Sequence, residues 1–190
     1  MDKTLVYRFL GGSNVENGLI EVYYGNGKGK TTAAIGLGVR AIGNHYKVIM
    51  IQFLKHADTS ECEVLKGLEP YFKVFHFEKK RGFTWNLTDE EREELKGESQ
   101  IALKFASKVM DTGECDVLIL DEILNAVELG IIPEELLYNL MDTKPEEVEL
   151  VLTGRHINEE IAKRADYISC IDDIKHPMER GIGARKGIEF

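Results

Sequence analysis

Residues 25–32 read Gly25-Asn26-Gly27-Lys28-Gly29-Lys30-Thr31-Thr32. They follow an apolar, β-favouring run, Leu19-Ile20-Glu21-Val22-Tyr23-Tyr24. They precede Ala33 to Ile42, which reads as a helix. Strand, glycine loop, Gly-Lys-Thr and helix, in that order, form the layout of a phosphate-binding loop. Glycines let backbone N–H groups turn toward an anion and approach it closely. The helix start adds unpaired donors and the positive end of a dipole. In this layout Lys30 neutralises phosphate charge and Thr31 offers its hydroxyl to Mg²⁺. One position departs from G-x-x-x-x-G-K-[ST]: Tyr24 stands where the first glycine belongs, and three alternating glycines follow it.

Outward from the loop, apolar segments alternate with helical ones. Lys47 to Leu54, which includes Gln52-Phe53, is a nearly continuous apolar run, as expected of a strand buried on both faces of a parallel sheet. Phe72 to Phe77 alternates and reads as a third strand. Asp116 to Asp121-Glu122 is a fourth, ending in two carboxylates. Val148 to Thr153-Gly154-Arg155 is a fifth, and Tyr167 to Ile171 a sixth. Capping boxes are expected at Ser60/Glu63 and Thr88/Glu91, and an N-cap at Asn158. Gly97 is expected to interrupt the helix that begins near Thr88. Ile101, Ala102, Phe105, Ala106, Val109 and Met110 form one apolar face. The fold class is therefore α/β: a P-loop NTPase (RecA-like) domain with a mainly parallel sheet of about six strands flanked by helices. Residues 1–18 read as a preamble and 19–190 as a single domain.

Right-handed crossovers bring the loops after the strands to one edge of such a sheet. The glycine loop, Gln52-Phe53, Gly82 to Trp85, Asp121-Glu122 and Gly154-Arg155 are expected to meet there. Asp121 and Glu122 suit a metal held beside phosphates, directly or through water; the sequence does not choose between them. Arg155 suits a contact to phosphate or ribose, or equally a surface salt bridge. Arg40, ten residues into the helix, reads on its own as a surface residue. Phe83 and Trp85 either fold back onto the core or form a wall for a large flat ligand.

A net charge of −9 argues against a nucleic-acid partner. No apolar run approaches a membrane span, and the N-terminal residues lack a signal-peptide pattern. Cys62, Cys115 and Cys170 are widely spaced, which suggests reduced thiols and a cytoplasmic setting. The five histidines show no ligand spacing, and no nucleophile elbow is present.

Taken together, the chain from about Gly18 to Phe190 resembles the P-loop-type ATP:corrinoid adenosyltransferases. The resemblance rests on the shortened loop of residues 25–32 with its Ala-Ala and Arg40-Ala41 helix, and on Gln52-Phe53. It rests further on Gly82-Phe83-Thr84-Trp85, Leu120-Asp121-Glu122, Thr153-Gly154-Arg155, Lys175-His176 and Gly187-Ile188-Glu189. Tyr24 in place of glycine is then the family's own pattern. The resemblance implies attack of a corrinoid's cobalt(I) on the 5′ carbon of ATP, with release of triphosphate. It implies ATP contacts from Gly25, Asn26, Gly27, Lys28, Gly29, Lys30, Thr31, Thr32, Arg40 and Arg155. Catalytic roles fall to Lys30, Thr31 and Glu122, and Mg²⁺ or Mn²⁺ is held by Thr31, Asp121 and Glu122. Phe83 and Trp85 become corrinoid-site residues that displace the lower axial ligand. A homodimer and an electron-donor protein that supplies cobalt(I) are also implied. The longer family members' N-terminal segment has no match in the eighteen residues before the first strand. An ATPase or small-molecule kinase, and a non-catalytic ATP-dependent corrinoid carrier, are the alternative readings.

Overall fold

The structure is a computed structural model and describes residues 15–55, 59–81 and 86–189. Among the described residues six strands form one all-parallel sheet: β1 (Ile20–Tyr24), β2 (Val48–Gln52), β3 (Phe72–His76), β4 (Val117–Asp121), β5 (Glu149–Thr153) and β6 (Tyr167–Cys170). Their order across the sheet is β3-β2-β4-β5-β1-β6. The helices are α1 (Lys30–Gly43), α2 (Ser60–Lys66), α3 (Asp89–Asp111), α4 (Ile123–Glu128), α5 (Glu134–Asp142) and α6 (Glu159–Arg164).

The central strands are apolar throughout because each face has its own core. On one side Ile49, Ile51, Leu118, Leu120, Leu150 and Leu152 meet α3, α4, α5 and α6. On the other, Val48, Met50, Val117, Ile119 and Val151 meet α1 and α2. The two-residue period of the strands thus divides one run of sequence between two cores. The register sets Gln52 between His76 and Asp121 at the C-terminal ends of their strands. β1 lies beside β5 and β6, so β5 separates the phosphate-loop strand from the carboxylate strand.

Local signals fared unevenly. Thr88 and Glu91 form the expected capping box, and Asn158 accepts the Ile161 N–H. The box expected at Ser60/Glu63 does not form. The N-cap there is Thr59, whose hydroxyl lies 3.1 Å from the Cys62 thiol and makes no cap bond. Gly97 does not interrupt α3. A mid-helix glycine costs about 1 kcal/mol, and the buried face of Leu95, Ser99, Ala102, Leu103, Ala106, Val109 and Met110 outweighs that. Ile101 lies outside this face, 57% exposed. The six-residue α4, directly after the carboxylates, was not anticipated. Most of the preamble (residues 1–14) and the loop residues Phe83 and Trp85 lie outside the described residues.

Candidate active site

The glycine loop is fastened by its first half. Gly25 N–H donates to the Arg155 carbonyl (3.0 Å) and Gly27 N–H to the Ile171 carbonyl (2.8 Å). Asn26 N–H donates to Asp172 Oδ1 (3.1 Å). A Cβ on Gly25 would come within 2.4 Å of the Ile171 carbonyl oxygen, and one on Gly27 within 2.6 Å of the Asp172 backbone. These two glycines are therefore required by the segment after β6. Gly29, at φ 120°, turns the chain into α1. The first turn of α1 follows directly, and a helix start carries N–H donors without intrahelical partners.

Lys30 Nζ donates to the Gly27 carbonyl at 2.8 Å and so lies over its own loop. Burial lowers its pKa, with Arg155 and Lys55 adding to the effect and Glu122 and Asp121 opposing it. Thr31 Oγ1 donates to Asp121 Oδ1 at 2.8 Å. Asp121 is wholly buried and also accepts from Thr153 Oγ1 (2.8 Å), Gln52 Nε2 (3.0 Å) and Lys55 Nζ (2.8 Å). Gln52 is held in turn by His76 Nε2, 2.7 Å from its carbonyl oxygen, and by the Cys62 thiol.

Glu122 follows in the left-handed region at φ 63°, uncommon for a residue with a side chain. Its N–H donates to Thr153 Oγ1 at 2.8 Å, which fixes the bend. Asn125 from α4 donates to Glu122 Oε2, leaving Oε1 3.7 Å from Lys55 Nζ. Burial raises the Glu122 pKa against the pull of Lys55. The structure therefore gathers Lys30, Thr31, Asp121 and Glu122 at one strand edge. Arg155 is close enough to act on Lys30 and Glu122 electrostatically. Lys28 points outward to Glu189 at 3.2 Å, and Thr32 is exposed in the first turn of α1. Arg40 is not gathered with them. It is exposed in the last turn of α1, about 15 Å along the helix from Lys30 at a rise of about 1.5 Å per residue.

Sequence reasoning missed Lys55, Thr153 and Asn125, and gave Gln52 a place but no task. Gln52 and Thr153 left a signal: each is a polar residue ending an otherwise apolar buried run. Lys55 left none, because a lysine after a strand resembles any solvated one. Its position depends on Leu54, left-handed at φ 55°, whose N–H donates to Glu78 Oε2 at 2.8 Å. Glu78 also accepts from Ser99 Oγ at 2.9 Å, tying this turn to α3.

Burial pushes the Glu78 carboxyl up to about 7. Between its ordinary pKa and that value the folded chain holds a proton that the unfolded chain has lost. Stability is then greatest at low pH and falls as pH rises through this window, by up to about 3 kcal/mol. Glu149, also raised to about 7 by burial, acts in the same direction. Glu78→Gln is expected to flatten, without abolishing, the decline in urea-unfolding free energy from pH 5 to 8. An unchanged decline would mean that Glu78 is ionised throughout.

The clustered oxygens of Thr31, Asp121 and Glu122 are hard donors of the kind that Mg²⁺ or Mn²⁺ takes. Among the described residues no three His, Cys, Asp or Glu side chains form a metal-binding group. A divalent ion here would thus lean on phosphate oxygens for its remaining ligands, as Mg²⁺ commonly does. Among the described residues no helix is long and apolar enough to cross a membrane.

Comparison with known proteins agrees with this geometry. The family described as ATP:corrinoid adenosyltransferase BtuR/CobO/CobP matches residues 16–190. A corrinoid adenosyltransferase of Escherichia coli (strain K12) is 32% identical over 176 residues, covering 92% of this chain and 87% of that one. One from Pseudomonas aeruginosa is 32% identical over 180 residues, covering 92% and 85%. One from Sinorhizobium sp is 34% identical over 178 residues, covering 92% and 81%. Among solved structures, a KaiC-like protein of Pyrococcus horikoshii OT3 superposes with a TM-score of 0.52 at 15% identity, over 88% of this chain and 77% of that one. That likeness concerns the fold alone, and it agrees with the RecA-like sheet. With its sheet order, its loop and this match over nearly its whole length, the chain belongs to the ATP:corrinoid adenosyltransferase family.

Proposed function

We propose that residues 19–190 act as one catalytic unit that transfers the 5′-deoxyadenosyl group of ATP to cobalt(I) of a corrinoid, in adenosylcobalamin biosynthesis or salvage. The electron pair on cobalt(I) forms the cobalt–carbon bond. The bond from C5′ to the triphosphate oxygen breaks, and its electron pair leaves with the triphosphate. No proton moves, so no general base is required. The supporting observation is the junction of Lys30, Thr31, Asp121 and Glu122 beside a loop that is itself tied to the sheet edge.

In this reading the loop and Lys30 hold the triphosphate and stabilise the charge it gains on leaving. Thr31, Asp121 and Glu122 would hold Mg²⁺ or Mn²⁺, which when bound supplies further positive charge to the leaving group. Asn125 sets the Glu122 carboxylate, Thr153 sets the Glu122 backbone, and Gln52 sets Asp121. Arg155 is assigned to the phosphates or ribose. The protein's main contribution is to position two reactants. Phe83 and Trp85 are assigned to the corrinoid, where apolar side chains exclude the lower axial ligand and make cobalt(II) easier to reduce. Both ends of their loop are held. Arg81 pairs with Glu98 (2.5 Å) and Glu94 (2.9 Å), while Thr88 caps α3. A homodimer served by a separate electron-donor protein completes the proposal on the strength of the family resemblance, and the three free cysteines support a cytoplasmic setting.

Anaerobic incubation with ATP, Mg²⁺ and preformed cob(I)alamin tests the reaction. The visible spectrum of an alkylated corrinoid and release of triphosphate are expected; ADP and phosphate would point instead to an ATPase or kinase. The aromatic pair is tested by two assays. Phe83→Ala and Trp85→Ala are expected to lose more activity from cobalt(II) with a mild reductant than from cobalt(I) supplied ready-made. Equal losses in a folded variant would remove the ligand-exclusion role.

A further inference from the structure

Lys55 makes no contribution to the reaction as described so far, yet its ammonium sits inside the acidic corner. Its Nζ donates to Thr31 Oγ1 and to Asp121 Oδ2, both at 2.8 Å, and the Glu122 Oε1 atom is 3.7 Å away. The ammonium thus lies against all three side chains that suit a divalent ion. Thr31 Oγ1 is committed on both sides, donating to Asp121 and accepting from Lys55. A metal on the remaining lone pair of this hydroxyl would sit beside the ammonium that holds the other. At the roughly 2.0–2.1 Å of a Mg²⁺–oxygen bond it would lie only about 4 Å from the ammonium nitrogen. Two positive charges cannot share this corner without strong repulsion. The side chain is a quarter exposed and its stem is flexible, so the ammonium has a way out.

We propose that Lys55 and a divalent cation compete for Thr31, Asp121 and Glu122, so that metal enters this site together with a triphosphate, which receives the displaced ammonium. Lys55 is then a positioning residue with two partners in turn: the acidic corner, and the leaving group of the transfer reaction. It keeps the carboxylates neutralised and excludes the metal on its own. It then adds a cation to the triphosphate once the metal is seated. Because binding couplings are reciprocal, metal strengthens triphosphate binding by the same factor as triphosphate strengthens metal binding. The inference rests on the metal reading given above and adds an order to it.

The test uses Mn²⁺ as probe, with the free ion followed by its paramagnetic resonance signal. Without nucleotide, Lys55→Met is expected to bind Mn²⁺ at least tenfold more tightly than the wild type. Adding Asp121→Asn to Lys55→Met should remove that gain. Inorganic triphosphate should strengthen Mn²⁺ binding in the wild type by a larger factor than in Lys55→Met. Should Lys55→Met be poorly stable, Mn²⁺ is expected to raise its Tm more than that of the wild type, by linkage. Mn²⁺ binding that is unchanged or weaker in Lys55→Met, with no extra Tm gain, overturns the competition. A Glu122→Gln variant separates the two layers. If it loses Mn²⁺–ATP while Lys55→Met leaves Mn²⁺ unmoved, only the competition is wrong. If it binds Mn²⁺–ATP like the wild type, the metal reading fails and takes the competition with it.

Discussion

Lys30→Ala is expected to slow adenosyl transfer about 10²–10³-fold, the usual cost of removing one fixed group that meets charge developing in a transition state. Lys30 is the cation carried by the loop itself, and its Nζ lies 2.8 Å from the Gly27 carbonyl, directly above the helix start. In the transfer reaction the triphosphate gains charge as the bond to C5′ breaks, so the ammonium matters more in the transition state than in the bound substrate. The loss should therefore fall mainly on kcat rather than on KM. Folding should be spared, since the described hydrogen bond of Lys30 is to its own loop and not to the core. Initial rates with ATP and preformed cob(I)alamin, beside a thermal melt, decide the matter. A variant within a factor of two of wild type would return Lys30 to a structural role.

Asp121→Ala is expected to destabilise the fold by about 3–5 kcal/mol, because it breaks a hydrogen-bonded ion pair and takes the acceptor from Thr31, Thr153 and Gln52. For a chain of this size that is a fall in Tm of roughly 6–20 °C. The carboxylate is wholly buried and receives Thr31, Thr153, Gln52 and Lys55 at 2.8–3.0 Å. Removing it leaves Gln52 and both threonines seeking partners, and leaves Lys55 facing Glu122 alone. Asp121→Asn keeps some of these hydrogen bonds and should cost less, yet it should be as poor a catalyst. A loss below about 1 kcal/mol in Asp121→Ala would show that Lys55 reaches water freely and that the network is loosely held.

The sheet was legible because its signals are local and redundant. Each central strand is a short apolar run too long for chance, and the glycine loop names the strand before it and the helix after it. The carboxylates were legible for the same reason, standing at the end of Val117-Leu118-Ile119-Leu120. What surrounds them was not. Lys55 enters the site because Leu54 adopts a left-handed turn that Glu78, 24 residues away, stabilises. Thr153 reaches Asp121 because β5 lies beside β4. These are consequences of register and of long-range contacts, and no residue spacing records them. Arg40 stands apart from this group. A family pattern suggested a nucleotide contact, while the helix carries the residue away from the loop and exposes it. Gly97 shows that a weak breaker yields to a long buried face.

The strand order also has a consequence during synthesis. β1 pairs with β5 and β6, and the glycine loop is fastened to the carbonyl of Arg155 and to residues 171 and 172. From Tyr24 to Glu149 is 125 residues. At about 5–20 residues per second the ribosome needs roughly 6–25 s to cover that distance. Throughout that interval Ile20 to Tyr24 has neither neighbour, and an unpaired apolar strand edge is open to chaperones or to other nascent chains. β2, β3 and β4 can meet much sooner, since β4 ends by Asp121 and borders β2, which borders β3. The nascent chain thus first builds the half of the sheet that carries the carboxylates. The phosphate loop, although made before the carboxylates, takes its final anchorage only after them.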